Sequence, residues 1–169
     1  SITINEVNQS GAIIQFTTSG TALSARWVAV GGVGDSTLDV AGVSSDGITW
    51  ETVGMPASVQ WSAVTYGTVS GIGYWVAVAR ESAVAAWSID GINWTQASLN
   101  EAADWVDIVA GNDRFVAIAE SDSSTALRSL SLNGGDTWST GTIPIGAKAI
   151  AYGNGKFVVV EGNFSNSFA

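Results

Sequence analysis

The chain has 169 residues, enough for one domain with a real core, and no composition break that would mark two. Hydrophobic residues make up 46% and charged residues 12%, with twenty glycines and no cysteine, which excludes disulfides, thiolate metal sites and a cysteine nucleophile. A net charge of −9, no histidine and only six scattered Lys and Arg residues argue against nucleic acid or an anionic membrane surface as partner.

Ser1 to Glu6 has neither a basic nor an apolar region, so a signal peptide is expected to be absent or already removed. The missing initiator Met leaves both a complete chain and a fragment open. No apolar run nears the roughly 20 residues that cross a bilayer, so a soluble chain without membrane insertion is expected. Ile2, Ile4 and Val7 alternate with polar residues as a half-buried strand does. A first unit then opens with a strand at Ala12 to Phe16, continues with Trp27-Val28-Ala29-Val30 and reaches a box, Ser44-Ser45-Asp46-Gly47-Ile48-Thr49-Trp50. The second unit has Trp61 to Tyr66, Trp75-Val76-Ala77-Val78 and Ser88-Ile89-Asp90-Gly91-Ile92-Asn93-Trp94. The third has Trp105 to Ala110, Phe115-Val116-Ala117-Ile118 and the box Ser131-Leu132-Asn133-Gly134-Gly135-Asp136-Thr137-Trp138, longer by one residue. The fourth has Ala147 to Tyr152, a turn at Gly153-Asn154-Gly155, then Phe157-Val158-Val159-Val160, with Phe164 to Phe168 as a third strand and no box.

Trp50, Trp94 and Trp138 are 44 residues apart, as are Trp61 and Trp105, and Gly67 and Gly111. Each unit reads as four strands, the third entering the box and the fourth leaving it from the Trp. The Asp-Gly and Asn-Gly pairs predict type I′ hairpin turns in the boxes, with positive φ at both central residues. Repeated four-stranded antiparallel units of this length, with no helical periodicity, predict an all-β fold: a single β-propeller domain over 1–169. The approximate blades are 12–54, 57–98, 101–143 and 147–168 plus 2–7, the termini sealing a ring of about four blades. The alternative is part of a larger propeller.

The boxes resemble the Asp-box of bacterial neuraminidase-type (BNR-like) repeats, Ser-x-Asp-x-Gly-x-Thr-Trp. The third box matches at full length except for Asn133 in the Asp position, and the first two lack one residue between Asp and Gly. Alternation with strands such as Ala151-Tyr152-Gly153-Asn154-Gly155-Lys156-Phe157-Val158 is also similar to repeats of phage tail and bacterial surface proteins. The resemblance runs from about residue 12 onward. It implies display on a virion or an extracellular or cell surface, and a box that is a fold element and not a catalytic one.

The residues agree with that structural role. Asp46, Asp90 and Asn133 can accept hydrogen bonds from the turn's own N–H groups, and Ser44, Ser88 and Ser131 can add a second cap. Gly47, Gly91 and Gly135 supply the turn conformation. Trp50, Trp94 and Trp138 are expected to pack on the neighbouring sheet, each contributing at most about 4 to 6 kcal/mol by buried area. The other tryptophans also have repeat positions and are expected in the core: Trp27 and Trp75 match Phe115 and Phe157, Trp61 and Trp105 match each other, and Trp87 matches Val43 and Leu130.

No catalytic residues are assigned. The resemblance would require three converging arginines, a Tyr–Glu pair and an Asp acid, yet Arg26, Arg114 and Lys156 share one repeat position, leaving Arg80 and Arg128. Among Asp104, Asp107, Asp113 and Glu120, nothing marks a hydrolytic carboxylate pair. No cofactor or metal site is assigned; Asp35 with Asp39 and Asp122 beside Ser123 lack an EF-hand spacing, and Ca²⁺ at an Asp cluster stays open. The expected function is a non-enzymatic structural or binding module. Its partners would be proteins of an assembly or surface glycans, with oligomer formation open. A glycan-binding lectin is the alternative and a glycoside hydrolase the distant one.

Overall fold

The computed structural model describes residues 27–31, 37–121 and 124–161. The strands expected at 2–7, 12–16 and 164–168, together with Arg26, Asp35, Asp122 and Ser123, lie outside the described residues. Every described element is a strand, and all pairing is antiparallel between sequence neighbours. The first sheet holds β1 (Trp27–Ala29), β2 (Leu38–Ser44) and β3 (Glu51–Val59). The second holds β4 (Trp61–Val69), β5 (Ile72–Ala79), β6 (Ser82–Ser88) and β7 (Thr95–Ala103). The third holds β8 (Trp105–Gly111), β9 (Arg114–Ala119), β10 (Ala126–Ser131) and β11 (Ser139–Ile143), and β12 (Ala149–Gly153) pairs with β13 (Lys156–Val160) in the last.

The sequence expectation of all-β meanders is met, with two corrections. The first and second sheets end at Val59 and Ala103, so the breaks expected after residues 54 and 98 fall inside strands. Pro56 lies inside β3, which among the described residues has a partner on one side only, and an edge strand tolerates a residue without an N–H. The second correction concerns the turns. Asp46 and Asp90 are not among the residues at positive φ; only their glycines are, with Gly47 at 75° and Gly91 at 73°. The type I′ geometry sits instead at the hairpins joining the first two strands of the second, third and fourth sheets. Ser70-Gly71, Asn112-Asp113 and Asn154-Gly155 have positive φ at both positions and link the pairs Val69–Ile72, Gly111–Arg114 and Gly153–Lys156.

Between consecutive sheets lie three apolar clusters. In β5 the side chains alternate with period two: Trp75, Ala77 and Ala79 face the first sheet, where Val28, Val30, Ala41, Val43 and Met55 meet them. Val76 and Val78 face the third sheet and pack with Trp105, Ile108, Phe115 and Trp138. A smaller cluster joins Ile118 and Ala126 to Ala147 and Ile150. Both faces of the second sheet are therefore core, which is why β5 reads as a continuous apolar run.

The inner strands approach closely because glycine stands where they meet. A Cβ at Gly67 would lie 2.2 Å from the Ala110 Cβ, and one at Gly111 would lie 2.3 Å from the Tyr152 ring. Hydrogen bonds repeat the join: Ser62 Oγ donates to the Trp105 carbonyl at 2.7 Å, and the Ile150 N–H donates to Asp107 Oδ2 at 2.9 Å.

Candidate functional site

The boxes connect the third and fourth strands, Ser44 to Glu51, Ser88 to Thr95 and Ser131 to Ser139. In the first, Ser44 Oγ donates to Asp46 Oδ1 at 2.9 Å and accepts the Gly47 N–H at 2.8 Å. Asp46 Oδ1 also accepts the Ile48 and Thr49 N–H groups, both at 2.8 Å. The second box repeats every one of these bonds with Ser88, Asp90, Gly91, Ile92 and Asn93, and adds the Asn93 side-chain amide on Asp90 Oδ2 at 2.7 Å. In the third, Asn133 Oδ1 accepts from Ser131 Oγ and the Thr137 N–H, both at 3.0 Å, and its amide donates to Thr137 Oγ1 at 2.9 Å, so a neutral side chain holds this loop with one backbone N–H bond in place of two. Six or seven loop residues are thus organised from one side chain, which is what the dipeptide reading missed.

These bonds set the titration. The Ile48 N–H first, then the Thr49 N–H and the Ser44 hydroxyl, hold Asp46 at about 2. Partial burial pushes Asp90 up, but the Asn93 N–H and amide, the Ile92 N–H and the Ser88 hydroxyl outweigh it and keep the carboxyl well below the ordinary aspartate range. Asp107 moves the other way: burial raises it, and the Ile150 and Ile108 N–H groups offset only part.

The box tryptophans differ. Trp138 is 7% exposed in the core between the second and third sheets, Trp94 is half-buried, and Trp50 is 38% exposed. Trp94 and Trp138 each donate from Nε1 to the box carbonyl, of Gly91 at 3.1 Å and Gly135 at 2.8 Å. Each ring leans on the outer strand of the preceding sheet, β3 or β7, and among the described residues no sheet precedes Trp50. Its ring folds instead onto its own sheet, 3.3 Å from where a Gly42 Cβ would sit. Of the others, Trp61, Trp75 and Trp105 are buried, and Trp27 and Trp87 are half-buried.

At the rim between the second and third sheets, Asn100 Nδ2 donates to the Trp138 carbonyl at 2.7 Å and Thr140 Oγ1 donates to the Leu99 carbonyl. Pro56 holds the repeat position of Asn100 and offers neither an N–H nor a polar side chain. There a cleft of about 570 Å³ opens, lined by Val53, Gly54, Met55, Pro56, Ile92, Asn93 and Trp94. A second groove, about 320 Å³, lies beyond β13 on the third sheet, with Arg128, Leu130 and Ile143 on its wall.

The carboxylates considered for hydrolysis are placed apart in role. Arg80 pairs with Asp104 at 3.3 Å and with Glu120 at 3.7 Å, and Glu120 also pairs with Lys148. This ladder crosses three sheets, and spacing along the chain gave no sign of it. Its side chains are about a third exposed, so each pair contributes at most about 1 kcal/mol. Asp113 accepts the Ser70 N–H from the next hairpin at 3.1 Å, and Asp107 joins the inner strands. Arg114 donates to the Asn112 carbonyl of its own turn, and Arg80 is engaged in the ladder, so these two guanidiniums are occupied separately. No group of three or more acidic residues suited to a metal ion occurs among the described residues. No protein-family model matches the chain, and no curated protein matches it.

Proposed function

We propose that the chain is a non-catalytic structural or binding module, built as propeller blades and displayed on a virion (tail, fibre or capsid surface) or a bacterial exterior. One observation carries the reading: in all three boxes the Ser side chain and the Asp or Asn side chain bond to each other and to their own loop backbone, the arrangement of a fold element. Four-stranded meanders joined at one-repeat spacing support blades about a common axis. The box resemblance supports surface display. Co-purification with assembled particles is the expected outcome, together with no turnover of a fluorogenic sialoside; turnover lost on substitution of Arg80, Arg114 or Arg128 by Ala would overturn the assignment.

In this reading residues 164–168 and 2–7 complete the fourth blade, and deleting residues 1 to 8 abolishes cooperative unfolding or drives association. A truncated protein with an unchanged melting temperature would rule that out. A ring of about four blades sealed by the termini is the expectation of this reading, and part of a larger propeller is its alternative.

A second reading, a glycan-binding lectin, is favoured by the cleft beside Trp94, where a half-exposed indole adjoins the Asn93 amide. Loss of glycan-array signal in Trp94→Ala at an unchanged melting temperature would select it over the structural role.

A further inference from the structure

Neighbouring strands run antiparallel in every sheet, so a box and the first hairpin leave a sheet from one end and its other connections from the opposite end. Ser62 meets Trp105 and Gly67 meets Ala110, so β4 and β8 run the same way. Gly91 lies against Val28 as Gly135 lies against Val76, which gives the first sheet the same sense. All three boxes therefore stand at one end of the array.

That end presents aliphatic side chains to solvent. The second box has a sheet on either side of it, and its Ile89 and Ile92 are still 62% and 37% exposed. Ile48 of the first box, at the repeat position of Ile92, is 84% exposed, and Leu132 of the third, at that of Ile89, is 60% exposed. Ile72, directly after the Ser70-Gly71 turn, is exposed at the same end. The loops do not require these side chains. Ser45 stands where Ile89 and Leu132 do, Asp136 stands where Ile48 and Ile92 do, and those boxes close with the same serine bonds. Single exposed aliphatics are ordinary, but a set repeated at one end of the sheets marks an interaction surface. The opposite end carries the ladder of Arg80, Asp104, Glu120 and Lys148, and in its described connections Ile145 is the one exposed large aliphatic residue.

Asp46 Oδ1 and Asp90 Oδ1 accept the N–H groups of Ile48 and Ile92 themselves, at 2.8 Å. These aliphatic tips thus stand on backbone that is already fixed, and burying them against a partner does not require a loop to be ordered first. Around them at the box end stand Asp46, Glu51, Asp90, Asp113 and Asp136, against Arg114 and Lys156. A second copy would set this acidic face against itself, and an anionic bilayer would be repelled by it. We infer that the box end is a docking face for a protein partner whose surface offers apolar pockets edged by lysine or arginine. The inference deepens the reading of the chain as a binding module and rests on it.

The test uses the full chain and a labelled synthetic peptide of alternating leucine and lysine, with binding read by fluorescence anisotropy, beside a peptide carrying glutamate in place of lysine. The parent should bind the lysine peptide, more weakly as salt rises, and not the glutamate peptide. A fourfold variant, Ile48→Ser, Ile89→Ser, Ile92→Ser and Leu132→Ser, keeps every charge and replaces exposed side chains only. Its melting temperature should hold while its affinity falls at least tenfold. Asp136→Asn combined with Glu51→Gln should also weaken binding, by a smaller factor. A parent that ignores the lysine peptide, a fourfold variant that binds it as well as the parent, or binding of the glutamate peptide overturns the inference. Three losses in the fourfold variant would overturn it by naming another occupant: of binding to phosphatidylcholine vesicles containing phosphatidylserine, of a glycan-array signal, or of self-association. Sialoside turnover would sink the non-catalytic reading and leave the peptide result standing, whereas a failed peptide would remove the docking face and leave that reading.

Discussion

At the scale of the residue, the three box tryptophans form a graded series with one chemistry and three environments. Trp138→Ala removes a ring at 7% exposure and is expected to cost about 3–5 kcal/mol, the range for deleting a buried large aromatic. Trp94→Ala should cost clearly less, and Trp50→Ala least, measured as denaturant midpoints. Equal losses for all three would mean that Trp50 is covered after all. The aspartates give a second expectation. The folded pKa values of Asp46 and Asp90 lie below the ordinary aspartate value of 3.8. Their contribution is therefore complete above pH of about 4 and is lost as pH falls through the folded values, toward about 2 for Asp46. Asp107, raised by burial, has the opposite sign: its contribution is present below the ordinary aspartate value and lost as pH rises through the raised one. In Asp90→Asn the acid limb of a stability profile should shrink, since the group whose pKa is lowered is removed while, as Asn133 shows, an amide can still bond to a box loop. An unchanged acid limb would show that the carboxylate bonds do not differ between folded and unfolded chains.

At the scale of the element, the inner strands depend on an absent side chain. Gly67→Ala forces a Cβ to 2.2 Å from Ala110 and should destabilise by about 1–3 kcal/mol through overpacking. Gly54→Ala, on the edge strand β3 with nothing within 4 Å, should be neutral or slightly stabilising. Comparable melting temperatures for the two variants would disprove close approach of β4 and β8. These strands were also the legible part of the sequence. Trp61, Trp105 and Phe115 mark strand starts because an aromatic at a fixed repeat position sits at a fixed place in each sheet. Less legible was whatever a single side chain or a second sheet decides. Asp46 organises a six-residue loop that its Asp-Gly pair alone presents as a two-residue turn, and Pro56 stays in β3 only because that edge is unpaired. Arg80, Asp104, Glu120 and Lys148 come from four separate connections between strands and meet only when three sheets stack, so no local pattern announces them.

At the scale of the whole molecule, protection should be graded along the array, as in other repeat chains where each unit leans only on its neighbours. The second sheet has core on both faces and should exchange its amide hydrogens slowest; among the described strands β12 and β13, with Val158 and Val160 half in water, should exchange fastest. Uniform exchange across all four sheets would instead mark one cooperative block.

The rim bonds of Asn100 and Thr140 also make the array mechanically uneven. They tie the second and third sheets at both the hub and the periphery, like a plate fastened along two lines. At Pro56 the amide bond has no counterpart, and the outer strand of the first sheet meets the second through apolar contacts of Val53, Met55 and Ala57 with Trp94. A twist or pull applied across the array is taken up at that joint, the cleft beside Trp94 widening or narrowing while the two sheets behind it turn together. The seam between the first two sheets is thus expected to be more compliant than the seam between the second and third, where asparagine stands in the place of Pro56.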